Sequence, residues 1–422
     1  MAEPRRRLWP YGVAIVVAIV AVLLLIAQDQ DTLRVDSPVE ASDPRFADYL
    51  ASLVGTVARG GDSYTVLRNG DEVYPAMLAA ITDAKSRIVF ETYVFSDGAA
   101  GKQFAAALEA AARRGVMVRA LLDSVGANLP KESREQLANA GVQTHWFNPL
   151  RFWTLEETNY RTHRKILAVD GEVAFIGGLG VADHWLGHAQ DKDHWRDTQF
   201  KVTGPSVRTL EASFYENWIE SGGRSAPALD PEPPSRPTGA RSVVLWSNPT
   251  AGVSNIKLLY LVALAGARQT IDIQSPYITI DESTRWALDQ ARRRGVRVRM
   301  LTEGPVTDAM PVKHASRTEY QGFLDNGIEI AEFQPTMMHT KAVVIDGVLS
   351  LIGSANFGNR SFELNDELTV AVHDRELAAA ILRDFDADLQ RSTKLAAATW
   401  KEQRSLLGKV QEQFWGLFSE IF

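Results

Sequence analysis

Two short runs of the chain hold residue types that could do chemistry together. "HRKILAVD" carries His163, Lys165 and Asp170, and "HTKAVVID" repeats the same His-x-Lys-x4-Asp spacing at His339, Lys341 and Asp346. The apolar residues between lysine and aspartate read as a short strand. Side chains two apart on a strand share a face, so each histidine can share a site with its own lysine. Asp170 and Asp346 complete the motif and are counted with its catalytic set, although each stands at the far end, before Gly171 or Gly347, where it could instead tie down the strand-turn backbone.

Bringing two histidines and two lysines together is electrostatically unfavourable unless an anion lies between them, and a phosphate or phosphodiester is the natural one. One neutral imidazole can attack phosphorus and form a covalent intermediate, while the other, protonated, gives its proton to the leaving alkoxide. The lysines stabilise charge on the phosphoryl oxygens. No metal or other cofactor is called for, and no metal-ligand spacing stands out. With no cysteine in the chain, thiolate chemistry and cysteine-ligated zinc are excluded.

A second polar cluster follows each motif. In "IGSANFGNRSFELNDE", Ser354 and Asn356 can donate to phosphate oxygens. Glu367, 28 residues past His339, can accept the proton on that imidazole's other nitrogen and fix its tautomer. The first copy reads "IGGLGVAD" and "HWRDTQF", with Asp197 at the carboxylate station and Gly178 and Gly180 where serine and asparagine stand in the second.

The elements that must position these groups also occur twice. "AITDAKSRIVFETYVF" (80–95) matches "ALAGARQTIDIQSPYI" (263–278), "AAARRGVMVRALLD" (110–123) matches "DQARRRGVRVRMLTE" (289–303), and "LANAGVQTHWF" (137–147) matches "FLDNGIEIAEF" (323–333). Each pair is a helix end feeding a Val/Ile-rich strand, with Gly115 and Gly295 as left-handed caps. This is a duplicated α/β fold with a buried sheet in each copy, and one composite site between copies needs one motif from each. The boundaries implied are 63–221 and 242–400, joined by a Pro-rich linker over 222–241, with 28–62 as a tether and amphipathic helix and 401–422 as a C-terminal amphipathic helix. In the tether, Phe46, Leu50, Leu53, Val54 and Val57 form one stripe that should end at Gly60-Gly61 and dock on the fold.

The chain has 422 residues, 45% hydrophobic and 23% charged, an ordinary globular composition. Its net charge of −7 gives no overall attraction to nucleic acid, and none is expected as a partner. Three arginines (Arg5 to Arg7) precede an uncharged run from Leu8 to Ala27, long enough to cross a bilayer as a helix. A small-x-small cleavage signature is missing, so residues 1–27 read as an anchor rather than a removed signal. Arginines on the cytoplasmic side send the rest of the chain to the non-cytoplasmic face of the plasma (inner) membrane.

The double His-x-Lys-x4-Asp motif, each copy followed by a Gly-Gly or Gly-Ser turn, resembles the phospholipase D superfamily. "NYRTHRKILAVDGEVAFIGGLGVADHWL", "WRDTQFKVTGPSV" and "GSANFGNRSFELNDE" are similar to its bacterial cardiolipin synthase branch, over roughly Tyr64 to the C-terminus. That resemblance implies two tandem phospholipase D-like domains, each a mixed β-sheet flanked by helices and related by a pseudo-twofold, after one transmembrane helix. It implies phosphatidyl transfer through a phosphohistidine, with His163 as nucleophile and His339 as acid, Lys165, Lys341 and Asn356 binding phosphate, and Asp197 and Glu367 orienting the histidines. Gly180 departs from the usual asparagine, and Gly180→Asn is expected to be tolerated as restoring that donor.

The substrates so implied are glycerophospholipids at a membrane: phosphatidylglycerol, with phosphatidylethanolamine as a second candidate. Hydrolysis to phosphatidic acid and metal-independent phosphodiester cleavage in nucleic acid are the alternatives the same residues could serve. In the tail, Leu406, Leu407, Val410, Phe414, Leu417, Phe418, Ile421 and Phe422 form a broad apolar stripe, open equally to core docking and to an interface.

Overall fold

The computed structural model describes residues 32–149, 159–224, 238–249, 252 and 255–419. The expected transmembrane segment at 8–27 lies outside them, as does most of the linker. Among the described residues no helix is long and apolar enough to cross a membrane.

One mixed sheet of 15 strands runs through the protein. Its first half is ordered β6 (Gln143–Phe147), β4 (Met117–Asp123), β2 (Arg87–Thr92), β7 (Ile166–Val169), β8 (Val173–Gly177), β9 (Thr198–Thr203) and β1 (Ala58–Arg68). The second repeats the pattern as β14 (Glu329–Phe333), β13 (Arg297–Glu303), β11 (Thr270–Gln274), β15 (Ala342–Ile345), β16 (Leu349–Gly353), β18 (Leu368–His373) and β10 (Ala240–Trp246). In each half three strands are parallel and the rest antiparallel. The outer edge adds β19 (Ser392–Lys394) on β14. Two short pairs, β3 (Phe95–Ser96) with β5 (Ala127–Asn128) and β12 (Ile278–Thr279) with β17 (Phe357–Gly358), stand apart.

The corresponding strands β1 and β10 meet antiparallel, Ala58 opposite Val243, which is the geometry of a local twofold axis. β1 is long enough to serve both halves. Its first residues pair with β10, the register shifts between Gly60 and Asp62, and the remainder pairs with β9. Gly60-Gly61 therefore lies inside a strand instead of ending a helix, and the boundary expected at 62/63 cuts through β1. The helix itself stops at Leu53 (Phe46–Leu53), burying Phe46, Leu50 and Val54 against the second half while Leu53 and Val57 stay exposed. The boundary at 241/242 likewise falls inside β10, and that at 400/401 inside the helix Ala397–Gln403.

Helices cover the sheet. Asn69–Asp83 and Ala99–Arg113 cover the first half, and Asn255–Gly266 and Glu282–Arg293 take their places in the second. A third apolar cluster joins the halves, with Phe200, Phe214 and Trp218 of the first packed among Val244, Val344 and Val370 of the second. Burial at that seam makes the two copies one body. The C-terminal helix Leu406–Gly416 lies against Met310–Asp325, and it turns its carboxylate inward: Glu412 is buried on Arg404, whereas Val410, Phe414 and Leu417 face out.

Asp170 and Asp346 hold the strand ends and are not part of a reactive centre. Asp170 accepts from the backbone N–H groups of Lys85, Ser86 and Arg87, and Asp346 from those of Arg268, Gln269 and Thr270, at 2.7–2.9 Å. Each carboxylate thus pins the start of β2 or β11 to the end of β7 or β15. Both aspartates sit at positive φ (55° and 51°) before glycines at 68° and 61°, the two-residue turn that Asp-Gly favours. Asp346→Ala leaves three N–H groups short of their acceptor and strains the turn, at a cost of about 2–4 kcal/mol. It should lower the urea midpoint while folded protein keeps its activity; an unchanged midpoint would contradict this.

Candidate active site

His163 and His339 do not lie within β7 and β15 but in extended segments just before them. Each segment pairs with the other half. Thr162 bridges to Asp366, and the His163 N–H donates to the Asp366 carbonyl at 2.9 Å. In the same way Arg196 bridges to Met338, and the His339 N–H donates to the Arg196 carbonyl at 2.7 Å. The residues after Asp366 and Arg196 are Glu367 and Asp197. The carboxylates are therefore exchanged: His163 Nδ1 meets Glu367 Oε1 at 2.9 Å, and His339 Nδ1 meets Asp197 Oδ2 at 2.6 Å. The expected pairing of each histidine with the carboxylate of its own copy is corrected by this backbone exchange.

With Nδ1 of each ring engaged, Nε2 is left as the reactive nitrogen. Both rings line one cavity of about 490 Å³, together with Lys165 and Asn356. Lys341 is not in that lining. Each lysine ammonium turns back to the carbonyl of its own histidine, at 2.8 Å for Lys165 and 2.7 Å for Lys341, and both are buried. Asn356 lines the cavity, and its side-chain oxygen is buried without a hydrogen-bond partner among the described residues.

Ser354, expected to bind phosphate, instead donates to Glu367 Oε2 and accepts from the Leu368 N–H. The reason is directional. At the matching position in the first copy, a Cβ on Gly178 would point straight at the Asp197 carboxylate, 2.3 Å from Oδ1. That position faces the orienting carboxylate in both halves. Ser361 is a second donor to Glu367, at 2.6 Å, and its counterpart by alignment is Trp185, whose indole N–H donates to Asp197 Oδ2 at 3.0 Å. Neither residue was singled out from the sequence, although aligning "GSANFGNRS" with "GGLGVADHW" would have exposed the pair.

Burial disfavours every charge here and drives the imidazole of His163 down to about 4. It also carries His339 well below its ordinary value, with Lys341 adding to the effect. Burial brings Lys165 down to about 7 and Lys341 to about 8. The carboxylates differ. Burial raises Asp197 to about 6, only partly offset by Lys341 and the Thr198 N–H. For Glu367 burial also acts upward, but His163, Lys165 and the Ser354 hydroxyl outweigh it and bring the acid down to about 2. An entering phosphodiester anion would favour the charged forms of the lysines and of one histidine.

Gly180 has a steric role. A Cβ there would lie 2.9 Å from both Cβ and the carbonyl oxygen of Val94 and 3.1 Å from the Trp185 ring, so the space an asparagine would need is filled. The expected tolerance of Gly180→Asn is thus corrected. This substitution should displace Trp185 from Asp197, cost about 1–3 kcal/mol by overpacking, and lower turnover; a melting temperature and activity equal to the native protein would refute it.

The sequence profile described as "Cardiolipin synthase, PLD-like domain" matches residues 77–193 and 260–389. Cardiolipin synthase 1 of Bacillus anthracis is 31% identical over 401 residues, covering 92% of this chain and 78% of that protein. Cardiolipin synthase of Geobacillus kaustophilus is 33% identical over 363 residues, covering 84% and 72%. Among solved structures, phosphatidylserine synthase of Haemophilus influenzae superposes with a TM-score of 0.69 at 14% identity, covering 89% of this chain and all of that one, a likeness of fold. With both copies matched by the profile and most of the chain aligned to these relatives, the protein belongs to the phospholipase D-like cardiolipin synthase family.

Proposed function

We propose that this protein is a membrane-anchored phosphatidyltransferase that passes a phosphatidyl group between glycerophospholipids through a phosphohistidine. The observation that carries the reading is the pair of imidazoles on one cavity, each held through Nδ1 by a buried carboxylate so that Nε2 is available for phosphorus chemistry. Relatives named cardiolipin synthase supply the substrate class, glycerophospholipids, with phosphatidylglycerol the first candidate and phosphatidylethanolamine the second.

In the first step Nε2 of His163 bonds to phosphorus, the bond to the headgroup alcohol breaks, and His339 protonates the departing oxygen. In the second, the hydroxyl of another lipid bonds to phosphorus, the N–P bond breaks, and His339 takes the proton. His163 suits the nucleophilic role because its partner, Glu367, stays ionised and can balance the cationic substituted ring. Asp197, whose carboxyl titrates near 6, suits a histidine that alternates between acid and base. Lys165 and the Asn356 amide, on the cavity wall, meet the phosphoryl oxygens, and Lys341, behind that wall, adds its charge. The run Leu8–Ala27 would keep the enzyme on its lipids, and the outward Val410, Phe414 and Leu417 support a membrane-facing surface.

Purified protein in phosphatidylglycerol vesicles should yield cardiolipin and one glycerol per turnover by mass spectrometry. Phosphatidic acid as the sole product would instead make it a hydrolase. The order of the histidines has a separate test with a phosphatidyl ester of p-nitrophenol, whose leaving group needs no acid. His339→Asn should release a burst of about one nitrophenolate per site and retain an adduct on His163, and His163→Asn should give no burst. The reverse pattern would exchange the two roles.

A further inference from the structure

One reacting phosphate accounts for the histidines, the lysines and Asn356, yet the same cavity carries two further cations, Arg161 and Arg360. They come from opposite copies of the fold. Arg161 is 3% exposed and fixed by the carbonyls of Tyr160 (2.7 Å) and Asn148 (2.8 Å), with Asp123 at 3.5 Å. Arg360 is held across the seam by the side-chain oxygen and the carbonyl of Asn159, at 3.0 and 2.9 Å. Tyr93 lines the cavity with its ring centroid 5.5 Å from that of His163 and 5.6 Å from the Lys165 ammonium, within electrostatic reach of both guanidiniums and of Asp123 and Asp308. Burial is what chiefly disfavours the Arg360 cation, with Arg161 adding to it and Tyr93, Glu367 and Asp123 acting the other way, so an anion beside the two guanidiniums would favour their charged forms.

His339 has other neighbours. Beside His339 the wall is made by Trp185 and Trp195, with ring centroids at 5.5 and 5.4 Å, and by Asp308, a carboxylate fixed by the Tyr277 hydroxyl. A carboxylate repels a second phosphate. The two histidines thus have different neighbours, and Arg161 and Arg360 are the cations of the lining that a second anion could meet.

We propose that Arg161 and Arg360 form a second phosphodiester site, which holds the acceptor phospholipid's own phosphate while its free hydroxyl faces the reacting phosphorus. This rests on the transferase reading and deepens it. An acceptor of phosphatidylglycerol type carries a fixed anion three carbons from its attacking oxygen, and water carries none. Rigid guanidiniums on the wall of the same cavity favour transfer over hydrolysis by positioning the right nucleophile. As the acceptor oxygen bonds to phosphorus the N–P bond to His163 breaks, and the hydroxyl proton passes to His339.

Because Arg161 also ties down backbone, Arg360 is the residue to change. The full chain in detergent would receive short-chain phosphatidylglycerol as donor, with labelled glycerol and lysophosphatidylglycerol competing as acceptors. Both offer a primary hydroxyl, but only the second is an anion. Arg360→Gln should lower the ratio of lysolipid transfer to glycerol exchange roughly tenfold, chiefly through the KM for the lysolipid, and Arg360→Lys should restore part of it. An unchanged ratio, including one in which both products fall together, overturns the proposal and leaves Arg360 as a bridge to Asn159. Native protein that forms neither product refutes the transferase reading and the second site with it.

Discussion

The exchanged imidazole–carboxylate hydrogen bonds are the constraint on which the rest of the structure depends. His163 is oriented by Glu367 and His339 by Asp197, so neither copy of the fold owns a complete catalytic unit. The backbone bridges at Thr162–Asp366 and Arg196–Met338 put the carboxylates where the foreign histidines need them. Those bridges require the halves to be locked in register. The long strand β1, the β1–β10 pairing and the apolar cluster across the seam provide that lock. The packing of the halves and the orientation of both imidazoles therefore depend on the same interface.

Electrostatics then gives the two pairs different characters. Four basic side chains share a region where burial opposes every charge, which is unfavourable unless an anion is bound. The carboxylates answer that field unequally. Glu367 collects hydroxyls from Ser354 and Ser361 and stays ionised, whereas Asp197 has an indole and a backbone N–H and sits near 6. A duplication with identical halves would produce two equivalent histidines. The difference between a serine pair and a glycine–tryptophan pair gives the two orienting carboxylates different environments.

Much of this was legible in the sequence, and the reasons are physical. Strand–helix units repeat with their apolar periodicity intact because each copy must bury its own sheet, so the α/β duplication is visible from the matched runs alone. The His-x-Lys-x4-Asp spacing is equally legible, since strand geometry fixes which residues share an end. The exchange of carboxylates was hidden, because nothing local in either copy states which histidine a carboxylate will meet. Ser354 was misread for a related reason: its type permits phosphate binding, and only the direction of its Cβ shows that it faces Glu367. Gly180 looked like a lost donor until Trp185 and Val94 were seen to occupy the space. The long β1 escaped notice because its alternation is weak and it contains Gly60-Gly61, residues that more often end an element than continue one.

The asymmetry between copies extends from the carboxylates to the cavity wall. Corresponding positions hold Gly180 and Asn356, His184 and Arg360, Trp185 and Ser361, so the second copy contributes amide, cation and hydroxyl to the cavity where the first contributes aromatic rings, packed over Gly180. His184 is packed against Trp195 with ring centroids 3.8 Å apart, and burial brings its imidazole down to about 4, so this wall is uncharged apart from Asp308. A symmetric cavity would treat its two lipid substrates alike. In the proposed reaction they are not alike at any moment, because one would be bonded to the enzyme while the other must present a hydroxyl. A cavity that gives its two histidines different neighbours can treat two lipids differently, and divergence within a duplicated fold reaches that state through a few side-chain replacements that leave the shared backbone in place.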